Sequence, residues 1–253
     1  MKTQLAIEIS EVAVHFAQIE DGIVKSVDKF TFKDKIDYRY KEQLDQIFIE
    51  KGYKEKEFDE YSLSWYSIHS TLLPNNVFSE TKPEELFRLC YSADIPSDHI
   101  DYNRIPELSI VNVFEIPKWV KSFFVIKFPR IVIQHEGSHM LHGIFAGSTF
   151  KLSSYLIIHD TSFSLIIANT NDLQFYSQFE FQSIDDVVYH FIFTLQQKNF
   201  FGKDGVITLC SGVGSSEDQM VELKSKLESF KDLSTFKIRI NSQIILNYQT
   251  LCV

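Results

Sequence analysis

His135-Glu136-Gly137-Ser138-His139 satisfies the H-E-x-x-H spacing. On a helix, that spacing turns two imidazoles to one side so that both can hold a zinc ion, while the glutamate serves as general base. The surrounding residues argue for another use. "RIVIQ" (130–134) is short and β-branched, so it predicts a strand that ends at His135. Gly137 inside a helix costs about 1 kcal/mol relative to Ala. Ser138 is a good N-cap for a helix over "HMLHGIFAG", with Met140, Leu141 and Ile144 on its apolar side. His135 and His139 then straddle a turn. A third ligand at metzincin spacing is missing, because His142 and Phe145 stand where glycine and histidine are needed. A metal-dependent hydrolase built on this segment ranks last among the readings below, and no metal site is expected.

Ser10, His159, Asp160 and Ser162 can be arranged as a nucleophile set on paper, but no G-x-S-x-G nucleophile elbow accompanies them. Glu55, Glu57, Asp59 and Glu60, interrupted by Lys56 and Phe58, predict a solvated lead-in to the next strand. Trp65 and Trp119 lie among apolar residues and are assigned to the core.

These residues need a scaffold, and composition bounds it. The 253 residues suffice for one large domain or two small ones. Twenty-three Phe and 11 Tyr against 9 Gly and 6 Pro favour a large core rich in strands. A net charge of -9 argues against nucleic acid or an anionic membrane as partner. Cys90, Cys210 and Cys252 are far apart with no C-x-x-C pair, which predicts free thiols in a reducing compartment. "MKTQLAIEIS" meets Glu8 too early for a signal-peptide core, and no run approaches the roughly 20 apolar residues of a membrane span. A cytoplasmic protein is expected.

Residues 1–32 predict three strands, with "EDG" (20–22) as one turn, so an antiparallel meander. A helix follows with Tyr40, Leu44, Ile47 and Phe48 on one face and Gly52 at its end. "YSLSWYSIH" (61–69) predicts a buried strand. Thr81 and Glu84 stand at capping-box spacing before a helix over 81–91. A strand over 108–116, a helix over 117–128 and the strand 130–134 complete this half. After about residue 150 the order begins again, with "YLIIHD", "FSLIIANTND" and "LQFYSQFEF" as strands. The helix 183–197 is capped by Ser183, with Asp185 and Asp186 at its positive end and Ile184, Val188, Phe191 and Leu195 as its stripe. Strand 205–214 runs into a glycine loop. A helix with Met220, Leu223, Leu227 and Phe230 on one face and the strand 235–240 follow. The repeated order predicts an internal duplication. Placing residue 8 on residue 160 aligns "EIS" with "DTS".

Two such halves resemble the actin, sugar kinase and heat-shock chaperone superfamily. The phrase "YSIHSTLLPNNVF" together with the two-half layout is similar, more narrowly, to a domain-of-unknown-function family of Bacteroidetes proteins. The resemblance implies a mixed α/β protein of two tandem actin-like ATPase (ribonuclease H-like) domains, 1–150 and 151–253. Each is a three-stranded antiparallel meander continued by parallel strands with helices. It also implies an ATP site in the interdomain cleft. The superfamily's first phosphate hairpin, an acid with glycine two residues on, falls on Glu8 and Ser10. The second falls on Asp160 and Ser162, where Asp160 could hold a hydrated Mg²⁺. The adenosine motif, a glycine pair between strand and helix, falls on Ser211 and Gly212, with Gly214 following. Three positions that the superfamily keeps as glycine are serine here, and a side chain obstructs close approach of the backbone to phosphate.

The expectation is therefore a non-catalytic or weakly nucleotide-binding module that acts through an unidentified protein partner, with no cofactor. Its rival is an ATP-binding enzyme or ATP-driven switch that uses ATP and magnesium, with Asp160 as the metal acid and Gly212 and Gly214 at the adenosine.

Overall fold

Two hairpins of the same construction begin the two five-stranded sheets. β1 (Thr3–Ile9) and β2 (Ala13–Glu20) lead into β3 (Ile23–Thr31); β9 (Leu152–Ile158) and β10 (Ser162–Asn169) lead into β11 (Asp172–Glu180). Asp21 and Gly22 (φ 47° and 77°) join β2 to β3, and Thr170 and Asn171 (φ 52° and 65°) join β10 to β11. Positive φ at both central residues gives the two-residue turn whose twist matches antiparallel strands. A register irregularity follows in each pair, at Gln18/Ile19 and at Ile167/Ala168. The computed structural model describes residues 2–34, 36–53, 56–91, 94–147 and 151–252. The expected boundary near residue 150 and Glu55 of the acidic cluster lie outside the described residues.

The chain divides into two compact units, Met1–Gly143 with Ile245–Val253, and Ile144–Ile244. In the first, the helix α1 (Asp37–Glu50) precedes β4 (Glu60–Trp65), and α3 (Lys118–Lys127) precedes β8 (Val132–His135) and α4 (Glu136–Phe145). The sheet order is β3-β2-β1-β4-β8, with β4 parallel to both β1 and β8. Between β4 and α3 lies a second, antiparallel sheet, β5-β7-β6, made of β5 (Ser70–Pro74), β6 (Ile100–Ile105) and β7 (Ile110–Glu115), with α2 (Pro83–Cys90). The predicted helix face of α1 is buried as expected, and Gly52 follows it at φ 67°. Its Tyr40 stacks on Trp119 of α3, with ring centroids 4.5 Å apart. Phe16, Phe48, Phe123 and Phe124 complete an aromatic core over one face of the sheet. Truncating such a buried ring costs about 3–5 kcal/mol.

In the second unit the sheet order is β11-β10-β9-β12-β13, with α5 (Ile184–Gln197) before β12 (Gly205–Ser211) and α6 (Glu217–Glu228) before β13 (Phe236–Ile240). β12 is parallel to β9 and to β13. The cap of α5 is the predicted one: Asp186 accepts from the Ser183 backbone N–H at 2.9 Å. Phe230, expected on the apolar face of α6, lies two residues beyond the helix and is 39% exposed.

α7 (Ile244–Gln249), which the sequence did not announce, belongs from Ile245 to the first unit. Leu246 packs on Ala6, Ala17 and Ile19, on the sheet face opposite the aromatic core. The buried Gln249 accepts from Ser62 Oγ at 2.7 Å, and Ser62 Oγ accepts from Gln4 Nε2 at 2.9 Å. Among the described residues no helix is long and apolar enough to cross a membrane.

Gly143 lies in α4, where alanine would ordinarily gain about 1 kcal/mol. A Cβ there would overlap the Tyr248 ring of α7. Gly143→Ala is therefore expected to destabilise the protein by about 1–3 kcal/mol, the cost of overpacking, at about 2–4 °C of melting midpoint per kcal/mol. With Tyr248→Ala in the same chain, the overlap disappears, so the double variant should lose less than the two singles added. Thermal melts of the four proteins check this; strict additivity would contradict the contact.

Candidate functional site

The histidine segment is built as a helix start. α4 begins at Glu136, two residues before the predicted cap, so Ser138 is inside the helix and the expectation that it caps fails. The cap is His135, whose Nδ1 accepts the Gly137 N–H at 3.0 Å. Gly137 is thus a first-turn residue whose amide has a partner, which removes the objection to a helix there. Asn112 Nδ2 also reaches His135 Nδ1, at 3.2 Å, and His135 Nε2 donates to Ser67 O at 3.0 Å. Both ring nitrogens of His135 are thereby engaged. His139, fully buried, donates through Nε2 to Leu63 O at 3.4 Å, and its Nδ1 has no hydrogen-bond partner among the described residues. Burial pushes its pKa down to about 3, against the raising effect of the Leu63 carbonyl. Among the described residues, no three His, Cys, Asp or Glu side chains are grouped to hold a metal.

At the first hairpin, Glu8 lies within β1, 5% exposed, and its carboxylate meets His15 Nδ1 of β2 at 3.2 Å. Ser10 follows the strand. Its backbone N–H donates to Ala13 O at 3.0 Å, and its Oγ accepts the Val12 N–H at 3.3 Å. The Ser10 and Val12 amides are therefore bonded within the turn. Strand register adds residues that sequence reasoning missed. Glu8 lies opposite His15 on one side and Ser64 on the other, and Ser64 lies opposite Gln134. Residues opposite each other share a face, so four polar side chains cross the sheet in one row. Gln134 Oε1 is buried without a hydrogen-bond partner among the described residues. The signal in the sequence is a polar residue among the apolar ones in each of four strands, and the row is visible only after the register is known.

At the second hairpin, Asp160 is exposed in the turn between β9 and β10, and its carbonyl accepts from Gln219 Nε2 of α6 at 3.2 Å. His159 N donates to Ser162 O at 2.9 Å, the counterpart of the Ser10–Ala13 bond. By these bonds Ser10 corresponds to His159 and Glu11 to Asp160, so the alignment of Glu8 with Asp160 is corrected by three residues. Ser162 opens β10, and Ser211 ends β12 beside Ile158. Gly212 N donates to Ile158 O at 2.8 Å, as Tyr66 N does to Ile9 O at 2.9 Å in the first unit. A Cβ on Gly212 would overlap the His159 imidazole, whose Nδ1 lies 3.3 Å from Val213 O. Gly214 has φ 88°, the left-handed region that glycine enters without strain. Near this turn is a hollow of about 520 Å³ lined by Thr161, Glu180, Phe181, Gln182, Asp186 and His190. The Gln182 and Ser183 amides hold the Asp186 carboxyl below its usual range, so the hollow is anionic at neutral pH.

Over residues 1–227 the chain matches the family described as Protein of unknown function (DUF3822). The chain belongs to that family, as the resemblance carried by "YSIHSTLLPNNVF" implied. A Bacteroides thetaiotaomicron VPI-5482 protein, described as having an actin-like ATPase fold and unknown function, superposes with a TM-score of 0.80. It is 16% identical, over 98% of this chain and 96% of that one. A chain of a PilM-PilN type IV pilus biogenesis complex gives 0.59 at 10% identity, over 98% of both chains. Identities this low show the fold alone, and that fold is mixed α/β and actin-like. No curated protein matches the chain.

The buried His139 yields a pH dependence. In the unfolded chain its pKa is about 6.5. Below that pH the unfolded state takes up a proton that the folded state refuses until about pH 3. Its contribution to stability is therefore complete above about pH 6.5 and falls as pH drops through that window, by up to about 1.4 kcal/mol per pH unit. His139→Gln keeps a donor for Leu63 O and cannot titrate, so it should flatten this part of the profile. Urea midpoints across the window check this; a variant with the native slope would contradict it.

Proposed function

We propose that this DUF3822 member is a non-catalytic module that works through protein contacts in the cytoplasm, and that its two units arose by tandem duplication. The observation that carries the functional reading is the packing of the His159 imidazole against Gly212, where an added Cβ would overlap the ring. In a nucleotide site this glycine would leave room for the ligand; here the room holds an imidazole from the same unit. The first hairpin supports the same reading, since the Ser10 hydroxyl takes up the Val12 amide that a phosphate would need. So does the anionic hollow at Thr161, Glu180 and Asp186, which would repel phosphate. A fold neighbour is described as part of a PilM-PilN complex, so the fold occurs in an assembly with another protein. The duplication reading is supported by the matched bonds of Ser10 with His159 and of Tyr66 with Gly212, and by Phe32 and Phe181. These last donate to Val12 O and Thr161 O, each at 2.9 Å. The cytoplasmic reading is supported by Cys90, Cys210 and Cys252, none of which forms a disulfide.

A nucleotide-binding reading has one observation in its favour: the buried Gln134 Oε1, without a partner among the described residues, in the row of Glu8 and Ser64. A melting experiment separates the two. A ligand at about 100 times its Kd adds roughly 2.7 kcal/mol of stability, which for a chain of this length moves the midpoint by several degrees. The expected result is no resolvable shift with ATP and Mg²⁺. A shift that is lost in Asp160→Ala or Glu8→Gln would replace the non-catalytic reading with the ATP-dependent one.

A further inference from the structure

β9 and β12 run parallel and end side by side, at Ile158 and Ser211. The carboxyl ends of parallel strands are where open α/β sheets take their ligands. The residues just past these two ends are His159 and Gly212, and they fit each other. His159 is 1% exposed. A Cβ on Gly212 would fall on the Cε1, Nδ1 and Nε2 atoms of its ring. The imidazole thus lies directly against the glycine backbone, and its Nδ1–H donates to the Val213 carbonyl at 3.3 Å. The first unit fills the equivalent place by the opposite choice. The matched backbone bonds of Ser10 with His159 and of Tyr66 with Gly212 make the pair Ser10 and Tyr66 the counterpart of His159 and Gly212. Each pair holds one buried ring and one small residue. The ring follows β4 in the first unit and β9 in the second. Protein interiors keep few voids larger than a water molecule, so a ring withdrawn from one strand end is replaced from the other. What the place requires is a ring, and either strand can supply it.

We infer that the two strand ends of the second unit form a socket for a planar nitrogen heterocycle, that His159 fills it as a tethered ligand, and that a free azole takes the socket once the imidazole is removed. The contact is autoinhibitory: the chain closes its own strand ends with a group that already makes the hydrogen bond an incoming ring would make. The Val213 carbonyl sets the ligand class, because a buried acceptor that loses its donor is costly. The ligand must therefore bring a ring N–H, as an azole does. The inference rests on the preceding reading, that no nucleotide occupies this room in the native chain, and extends it by naming what the room accepts.

The test is rescue by imidazole itself, read as the melting midpoint of the full chain at alkaline pH, where free imidazole is uncharged. His159→Gly should melt several degrees below the native chain, and imidazole should raise its midpoint by several degrees with a saturating dependence on concentration. The native chain, whose socket is full, should show no such rise. In His159→Gly combined with Gly212→Ala, the added methyl stands where the ring stood, and the response should be lost. His159→Ala, which restrains the backbone more than glycine does, gives the same readout where His159→Gly does not fold. No saturable rise in either single variant would overturn the inference. An equal rise in the native chain or in the double variant would overturn it too, since imidazole would then bind elsewhere. ATP takes no part in this experiment, so its failure is distinct from a failure of the nucleotide melts.

Discussion

Strand β1 has no solvent side. Leu5, Ile7 and Ile9 face the aromatic core under α1 and α3, while Gln4, Ala6 and Glu8 face the other way and are buried too. A strand covered on both faces needs a cover for each, and the two covers differ in kind. On the first face the sequence spends phenylalanines, tyrosines and tryptophans. On the second, Ala6 stands opposite Ala17 and Ser62, so the surface is low and Leu246 can lie close to it. Ser62 is polar, and a buried hydroxyl without a partner is costly. Gln249 and Gln4 remove that cost. Small residues in β1, β2 and β4 and the chemistry of α7 are thus one requirement met from opposite ends of the sequence.

The second unit repeats the strand plan with different contents at the same places. Ser10, which closes the first turn with its own hydroxyl, is matched by His159, which lies against Gly212. Tyr66, which follows β4, is matched by Gly212, which follows β12. A larger residue on one strand end meets a smaller one on the next. Such compensation preserves the fold while altering whatever the strand ends could bind. Fold and activity are separable for this reason, and a shared actin-like architecture at 16% identity says how the backbone runs and nothing about turnover.

Much of the fold was legible because its signals are local. The cap of α5 and the positive-φ turn at Asp21 and Gly22 depend on neighbours in sequence. Thr81 and Glu84 misled for an equally local reason. Pro83 disfavours helical backbone at the preceding residue, so α2 starts at Pro83 and its cap is Lys82. β5 and β6 were missed because one ends in a proline and the other, "IDYNRI", offers little apolar alternation. The start of α4 was drawn three residues late because Gly137 and Ser138 both suggested a boundary, whereas an imidazole served as the cap. The candidate site was less legible. Glycines read as room for a ligand, and only the tertiary contact shows that His159 takes the room at Gly212. The polar row from His15 to Gln134 needed four strands in register before it existed.

The division of the chain orders its assembly in time. The first unit takes its last segment, Ile245–Val253, from beyond the whole of Ile144–Ile244. During synthesis, at roughly 5–20 residues per second, the sheet of β1, β2 and β4 is complete on the order of 10–40 s before Leu246 and Gln249 exist to cover it. For that interval Ala6, Ala17 and Ile19 face water or whatever else is at hand, with Ser62 lacking its acceptor. The small residues of this face keep the exposed surface modest and offer little for another chain to grip. The nascent first half can therefore wait, and the cover that finally closes it is tethered to the same chain and arrives at a high effective concentration.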